Sequence, residues 1–483
     1  MKTIVLTPSN WGPPVVRPRL QLVLLLAAAA TLAGCASFSP DGGFSTVEQA
    51  ARERLGKEVR LARTPGDQDG IDQRVAELLA KPLSADDAVQ IALLNNRGLQ
   101  ASFQELGITE AEVVQSGRVP NPGFSFSRLR RGDESELERG IHFNLARLIA
   151  MPMISAMEAR RFEATKGMVT MTMLSVAADT RKAWVTALAA EETVRYMRQV
   201  KQAAEASAEL ARRMEQVGNF NKLQRAREQS FYADAALNLA RAEQAQRATR
   251  ERLTRLLGLW GAQTQFNLPD RLPDLPQDLV DRPDIERVAL AQRLDVQGAK
   301  LAAEQTARNL GLTKTTRFIN VLELGTVRNS SNEAPTQRGW EIGVELPLFD
   351  WGGARVARAE GVYMQAVHRA AETAINARSE VREAYGAWRS AYDIARHHQD
   401  EIVPLRKQIA EENVLRYNGM LIGVFELLAD ARAQIGSVNA AIEAKRDFWI
   451  AQADLDMALI GKPSLAAAAG PASATTAAEA QGH

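Results

Sequence analysis

The period of polar and apolar positions changes several times along this chain. The change that organises the rest falls in Gly339 to Glu360, GWEIGVELPLFDWGGARVARAE. Trp340, Ile342, Val344 and Leu346 alternate with Glu341, Gly343 and Glu345, which is the period of a strand with one apolar and one polar face. Pro347 has no N–H to donate and ends the ladder, and Gly352 and Gly353 permit a sharp change of direction. From Arg355 the Ala, Arg and Glu content turns helical. A strand of this kind feeding a very long helix suggests a membrane strand joined to a soluble helical stalk.

Upstream, an apolar stripe at helical spacing (Ala88, Ile91, Ala92, Leu99, Phe103) predicts a helix from Ser84 to about Val119, interrupted at Asn95, Asn96 and Gly98. GFSFSRLR at Gly123 and GIHFNLA at Gly140 alternate on either side of a polar turn and predict a hairpin over 123–146. Helix is predicted from about Ile149 to Val217, about 70 residues or on the order of 100 Å at 1.5 Å per residue. A turn at Gly218–Asn221 and a second helix over Lys222–Leu257 follow. The plan then returns: a helix from Asp284 to about Leu310, a hairpin over 318–346, a helix from Gly353 to about Tyr417, a turn at Asn418-Gly419 and a last helix to about Leu459. Arg139-Gly140-Ile141 lies against Arg338-Gly339-Trp340 and Val217-Gly218-Asn219 against Asn418-Gly419-Met420, an internal repeat offset by roughly 200 residues. The expected organisation is a first repeat at 83–259, a Pro-rich linker at 260–283, a second repeat at 284–461 and a disordered tail at 462–483.

Composition adds two exclusions. Lys and Arg number 59 against 58 Asp and Glu, without the basic excess of a nucleic-acid protein. There is no GxSxG, no HExxH and no Gly-rich phosphate loop, so neither enzyme chemistry nor a cofactor is expected. His397-His398 lacks supporting ligands and is expected to be a surface pair. Residues 1–34 have a basic start and an apolar Leu20–Leu32 core ending in Leu32-Ala33-Gly34-Cys35, a signal peptide whose end resembles a bacterial lipobox. Lipidation would fall on Cys35, the only Cys in the chain; an ordinary signal peptide with an incidental Cys is the alternative. By the same resemblance, Ala36 in place of Asp favours the outer membrane. Residues 35–82 are expected to be an anchor segment leading away from the lipid.

No later stretch has the ~18 continuous apolar residues of a helical span, so a mature chain that crosses a membrane must do so with strands. Two hairpins cannot close a barrel, and open edges are not tolerated in lipid. The strands must be donated to a shared barrel. Three copies would supply twelve.

Leu83–Gly107, Val119–Ser127, Gly343–Glu360 and Arg416–Arg432 resemble the TolC-type outer-membrane efflux family, in the lipidated branch serving resistance-nodulation-division pumps. The resemblance runs over about 83–461. It implies a mainly α fold with a small β part: a homotrimer with a 12-strand outer-membrane β-barrel on a 12-helix periplasmic α-barrel. It further implies passive conduction, with a periplasmic adaptor, an inner-membrane pump and outer-membrane lipid as partners. A periplasmic coiled-coil lipoprotein is the rival, and it leaves the two hairpins unexplained. In the family, polar links near the second helical turn hold the periplasmic end shut. Tyr417 matches a tyrosine of that link, whereas Met420–Val424 carries no arginine. Glu426 and Asp430 lie four apart on one helix face and in three copies would ring the aperture; the plainer alternative is solvated surface charge. Glu341 and Glu345 would face the lumen, where they could tune ion preference; the plainer alternative is that they fill a wet interior with polar groups. Arg147–Pro152 stands where many members carry a second PLF-like corner.

Overall fold

The computed structural model describes residues 37–316, 322–344 and 348–463. The expected signal peptide, Cys35, Glu345, Pro347 and most of the proposed tail lie outside the described residues. In chain order the elements are α1 (Phe44–Leu55), α2 (Pro65–Leu79), α3 (Ala85–Asn95), α4 (Arg97–Ser116), β1 (Gly123–Arg131), β2 (Glu134–Asn144), α5 (Leu145–Gln216), α6 (Lys222–Leu257), α7 (Ile285–Gln292), α8 (Leu294–Thr316), β3 (Leu322–Ser331), β4 (Gln337–Val344), α9 (Gly353–His397), α10 (Val403–Asn418) and α11 (Val424–Ile460). Two compact units interleave along the chain. One gathers Glu110–Ala159 and Thr315–Gly353; the other gathers Asp41–Thr109, Arg160–Lys314 and the residues from Ala354 on. The units therefore differ from the sequence-order division at 83–259 and 284–461, because strands from both halves pair with each other.

In the first unit the strands form one antiparallel sheet in the order β1-β2-β3-β4. Phe124 pairs with Ile141, Phe143 with Leu324, and Leu324 with Ile342. Asn332 links the two turns, accepting from the Ser135 N–H at 2.8 Å and donating to the Asp133 carbonyl at 2.9 Å. Helix α5 starts directly at Leu145, four residues earlier than the periodicity suggests. Asn144 Oδ1 accepts from the Arg147 N–H at 2.8 Å, an N-cap geometry. Before α9 the chain instead turns at Gly352, whose φ of 72° favours glycine.

In the second unit the break expected near Asn95 is a working corner. Asn96 Oδ1 accepts from Leu99 N–H at 2.9 Å and starts α4. Asn95 Nδ2 donates to the Leu257 and Gly258 carbonyls and Asn96 Nδ2 to the Leu256 carbonyl, satisfying the C-terminal carbonyls of α6. Helices α1 and α2 lie within the expected anchor segment, 35–82. Val47, Ala51, Ile71 and Val75 are fully buried, and Pro65 opens α2 behind a Thr64–Asp67 capping box. The helix expected over 284–310 is divided at Arg293 and runs on to Thr316. That expected from Gly353 to Tyr417 contains a π turn at His398–Ile402, where Pro404 lacks the N–H a regular turn would use. The linker is also tied down. Phe266, Leu268 and Leu272 are buried, and the Tyr392 hydroxyl donates to the Pro276 and Gln277 carbonyls.

Burial pushes the Asp456 carboxyl on α11 above its ordinary range. The folded state thus holds that proton more tightly than the unfolded chain. The associated stability is fully present below the ordinary Asp range and is lost as pH rises through the raised folded value. Asp456→Asn, which keeps an acceptor for Gln452 Nε2 at 2.9 Å, is expected to raise the melting temperature at neutral pH. The gain should shrink towards zero near pH 3; a melting curve showing no gain at neutral pH contradicts this.

Candidate functional site

Directly opposed residues in an antiparallel pair share a face, so the register assigns every strand side chain. One face carries Phe124, Ile141, Phe143, Leu324, Trp340 and Ile342. These side chains are exposed; Phe124 and Trp340 retain 69% and 74% of their surface. The other face carries Glu134, Glu136, Glu138, Glu323 and Glu341, with Arg131 and His142. Charge is thus sorted by face. Every carboxylate of the described strands lies opposite the apolar rows, and the arginines Arg128, Arg130, Arg139, Arg328 and Arg338 lie on the apolar rows' side.

Glu341 is exposed and lies in one row with His142 and Gly325. His142 is a participant that periodicity does not single out. Its Nε2 meets Ser125 Oγ at 2.8 Å, and the ring lies across glycines: a Cβ at Gly140 would come within 2.9 Å of Nε2, and one at Gly325 within 2.8 Å of Nδ1. Only the β2–β3 register reveals that these two glycines flank one imidazole.

Two helical hairpins, α5–α6 and α10–α11, carry the remaining candidates. Their turns use left-handed backbone at Gly218 (φ 82°) and Met420 (φ 56°), and their tips expose Val217, Leu223, Met420 and Leu421. Tyr417 is exposed, and among the described residues its hydroxyl has no hydrogen bond. Glu426 is likewise exposed and without an ion-pair partner among the described residues. Asp430 is half-buried and accepts from Asn413 Nδ2 on α10. The structure therefore separates two residues that helical spacing paired: Asp430 ties its hairpin together and Glu426 is free. The α5–α6 hairpin has a similar tie, with Ser207 Oγ donating to Glu228 Oε2 at 2.8 Å. Arg432 stacks on Phe231 at 4.4 Å, joining α11 to α6. Asn413, Ser207 and Glu228 sit in helices crowded with similar residues, and nothing in their sequence context distinguishes them.

An antiparallel sheet with an exposed apolar face, long helices and two helical hairpins give this chain the fold of solved outer-membrane channels. It matches the Campylobacter jejuni CmeC outer membrane channel with a TM-score of 0.67 at 18% identity, over 88% of this chain and 92% of that one. The Vibrio cholerae outer membrane protein VceC matches at 0.64 and 13%, over 82% and 97%, and a Pseudomonas aeruginosa membrane protein at 0.69 and 18%, over 78% and 93%. In sequence, the cobalt-zinc-cadmium resistance protein CzcC of Cupriavidus metallidurans is 25% identical over 286 residues, 56% of this chain. The match spans 64% of that relative's length. No family model matches the chain.

Proposed function

We propose that the chain is the outer-membrane channel of a tripartite efflux system, passively conducting cargo received through a periplasmic adaptor from an inner-membrane pump. One observation carries this reading: a sheet with an exposed apolar face whose outer strands, β1 and β4, are each paired on one side only among the described residues. In lipid such edges must be closed. Three copies joined β4 to β1 make a closed twelve-strand barrel with its glutamate face inward, on a twelve-helix periplasmic tunnel built from the twofold repeat. The apolar hairpin tips Val217, Leu223, Met420 and Leu421 suit docking of the adaptor. The inward carboxylates of the described strands, Glu341 among them, favour cationic cargo. Divalent metal ions fit that preference, in keeping with the name of the CzcC relative.

The test is single-channel recording in planar bilayers together with extraction from outer membranes. Cation-selective conductance and a heat-modifiable trimer are expected. A chain that stays soluble and monomeric without detergent would instead fit a periplasmic coiled-coil lipoprotein. Cys35→Ser is expected to abolish acylation, read by mass spectrometry of the mature chain, while trimers persist because the barrel holds itself in the membrane. Loss of all trimer in that variant shows that the anchor, and not the strands, maintains the assembly.

A further inference from the structure

The sorting of charge between the sheet faces extends further than a water-filled interior requires. Arg139, Arg328 and Arg338 are directly opposed across β2, β3 and β4 and form one row. Arg128 and Arg130 follow on β1, one and two rows nearer the turns. All five are exposed, and among the described residues none has an ion-pair partner. Opposed strand residues stand only about 5 Å apart at Cα, and like charges so placed repel. The same strands contain carboxylates that would relieve the repulsion, yet each lies on the opposite face. A merely solvated surface would mix the signs. The arginine row also adjoins the apolar row of Phe124, Ile141, Thr326 and Trp340. It lies towards the turns, away from the sheet end that α4 and α5 join.

We infer that these arginines bind the phosphates of an outer-leaflet glycolipid, holding a belt of bisphosphorylated lipid around the channel. The inference rests on the channel reading, which turns this face to lipid and its turn end to the outer leaflet. A planar guanidinium pairs with phosphate through two parallel N–H···O bonds. A flat row spread over adjacent strands suits an array of headgroups better than a single enclosed ligand. Arginine on a lipid-facing strand is tolerated near the interface and not at the midplane, in agreement with a row that borders the apolar zone. The phosphates supply the counter-charge that the sheet's own carboxylates, on the inner face, do not.

The experiment uses the detergent-purified full chain and phosphatidylcholine vesicles with or without lipid A, the bisphosphorylated glucosamine lipid, or its dephosphorylated form. Co-purifying lipid is quantified after reconstitution. The wild-type protein is expected to retain lipid A and to release it at high salt. The triple variant Arg139→Gln, Arg328→Gln, Arg338→Gln is expected to bind it roughly a hundredfold more weakly, and Arg131→Gln, on the opposite face, to bind like wild type. Equal retention of phosphorylated and dephosphorylated lipid by the wild-type protein overturns the inference, and needs no variant to assemble. So does undiminished binding by a triple variant that still forms trimers. Channels that conduct in plain phosphatidylcholine bilayers but show either result leave the channel reading standing. Failure to insert into any bilayer overturns both.

Discussion

Arg293→Met is expected to lower stability by about 3–5 kcal/mol, the usual cost of removing one partner from a buried ion pair. Arg293 is 1% exposed. Its guanidinium reaches Asp295 Oδ2 and Glu380 Oε2, both at 2.6 Å, and the Ala458 carbonyl at 3.3 Å. It therefore joins α8, α9 and α11 at the point where α7 gives way to α8. Its N–H still bonds the Ala289 carbonyl at 2.8 Å, so the helix breaks without losing that bond. Methionine fills similar space and leaves two carboxylates facing an unpaired pocket. Thermal unfolding followed by circular dichroism reads the loss. The combined Arg293→Met, Asp295→Asn, Glu380→Gln variant is expected to recover most of it, since a neutral cluster no longer strands a charge. A single variant within about 1 kcal/mol of wild type shows that the break at Arg293 is held by packing alone.

The second large effect is expected at the tip of the α10–α11 hairpin, where Glu426 and Asp430 are predicted to act differently. Glu426 is exposed and unpaired among the described residues. In the proposed trimer its three copies would ring the aperture, and Glu426→Gln is expected to reduce cation preference, read as a shift of reversal potential in a salt gradient, without changing thermal stability. Asp430→Ala removes the acceptor of Asn413, itself buried. An unsatisfied buried donor costs about 1–3 kcal/mol, so this variant should melt earlier and fluctuate more in conductance. Selectivity unchanged in Glu426→Gln returns that residue to ordinary solvated charge. A melting temperature unchanged in Asp430→Ala removes the tie from the account of the tip.

Much of the fold was legible because period carries directly into structure. Strict alternation at Phe124–Phe126, Ile141–Phe143 and Trp340–Val344 gave strands whose apolar residues share a face, and the Asn221 start and Gly258 end of α6 were marked by ordinary capping residues. The misses share a physical cause. The break at Arg293 contains neither Gly nor Pro and depends on carboxylates reached at Asp295 and, 87 residues away, at Glu380. Residues 37–82 have short, broken apolar patterns because each of their helices buries only a few side chains, such as Val47 and Ile71. At the site, the spacing of Glu426 and Asp430 predicted a shared face but could not tell that one would be taken by Asn413.

What the sequence alone determined is what local chemistry dictates: where strands and helices lie, which side of each strand is apolar, and that two hairpins cannot close a barrel unaided. The tertiary structure decided what depends on register and long-range approach. It set β2 against β3, so that the strands of both hairpins became one sheet. It laid His142 across Gly140 and Gly325, gathered Arg139, Arg328 and Arg338 into a row, and buried Arg293 among α8, α9 and α11. A two-residue period states which face a side chain takes. Which distant residue will stand opposite is chosen only when the strands pair.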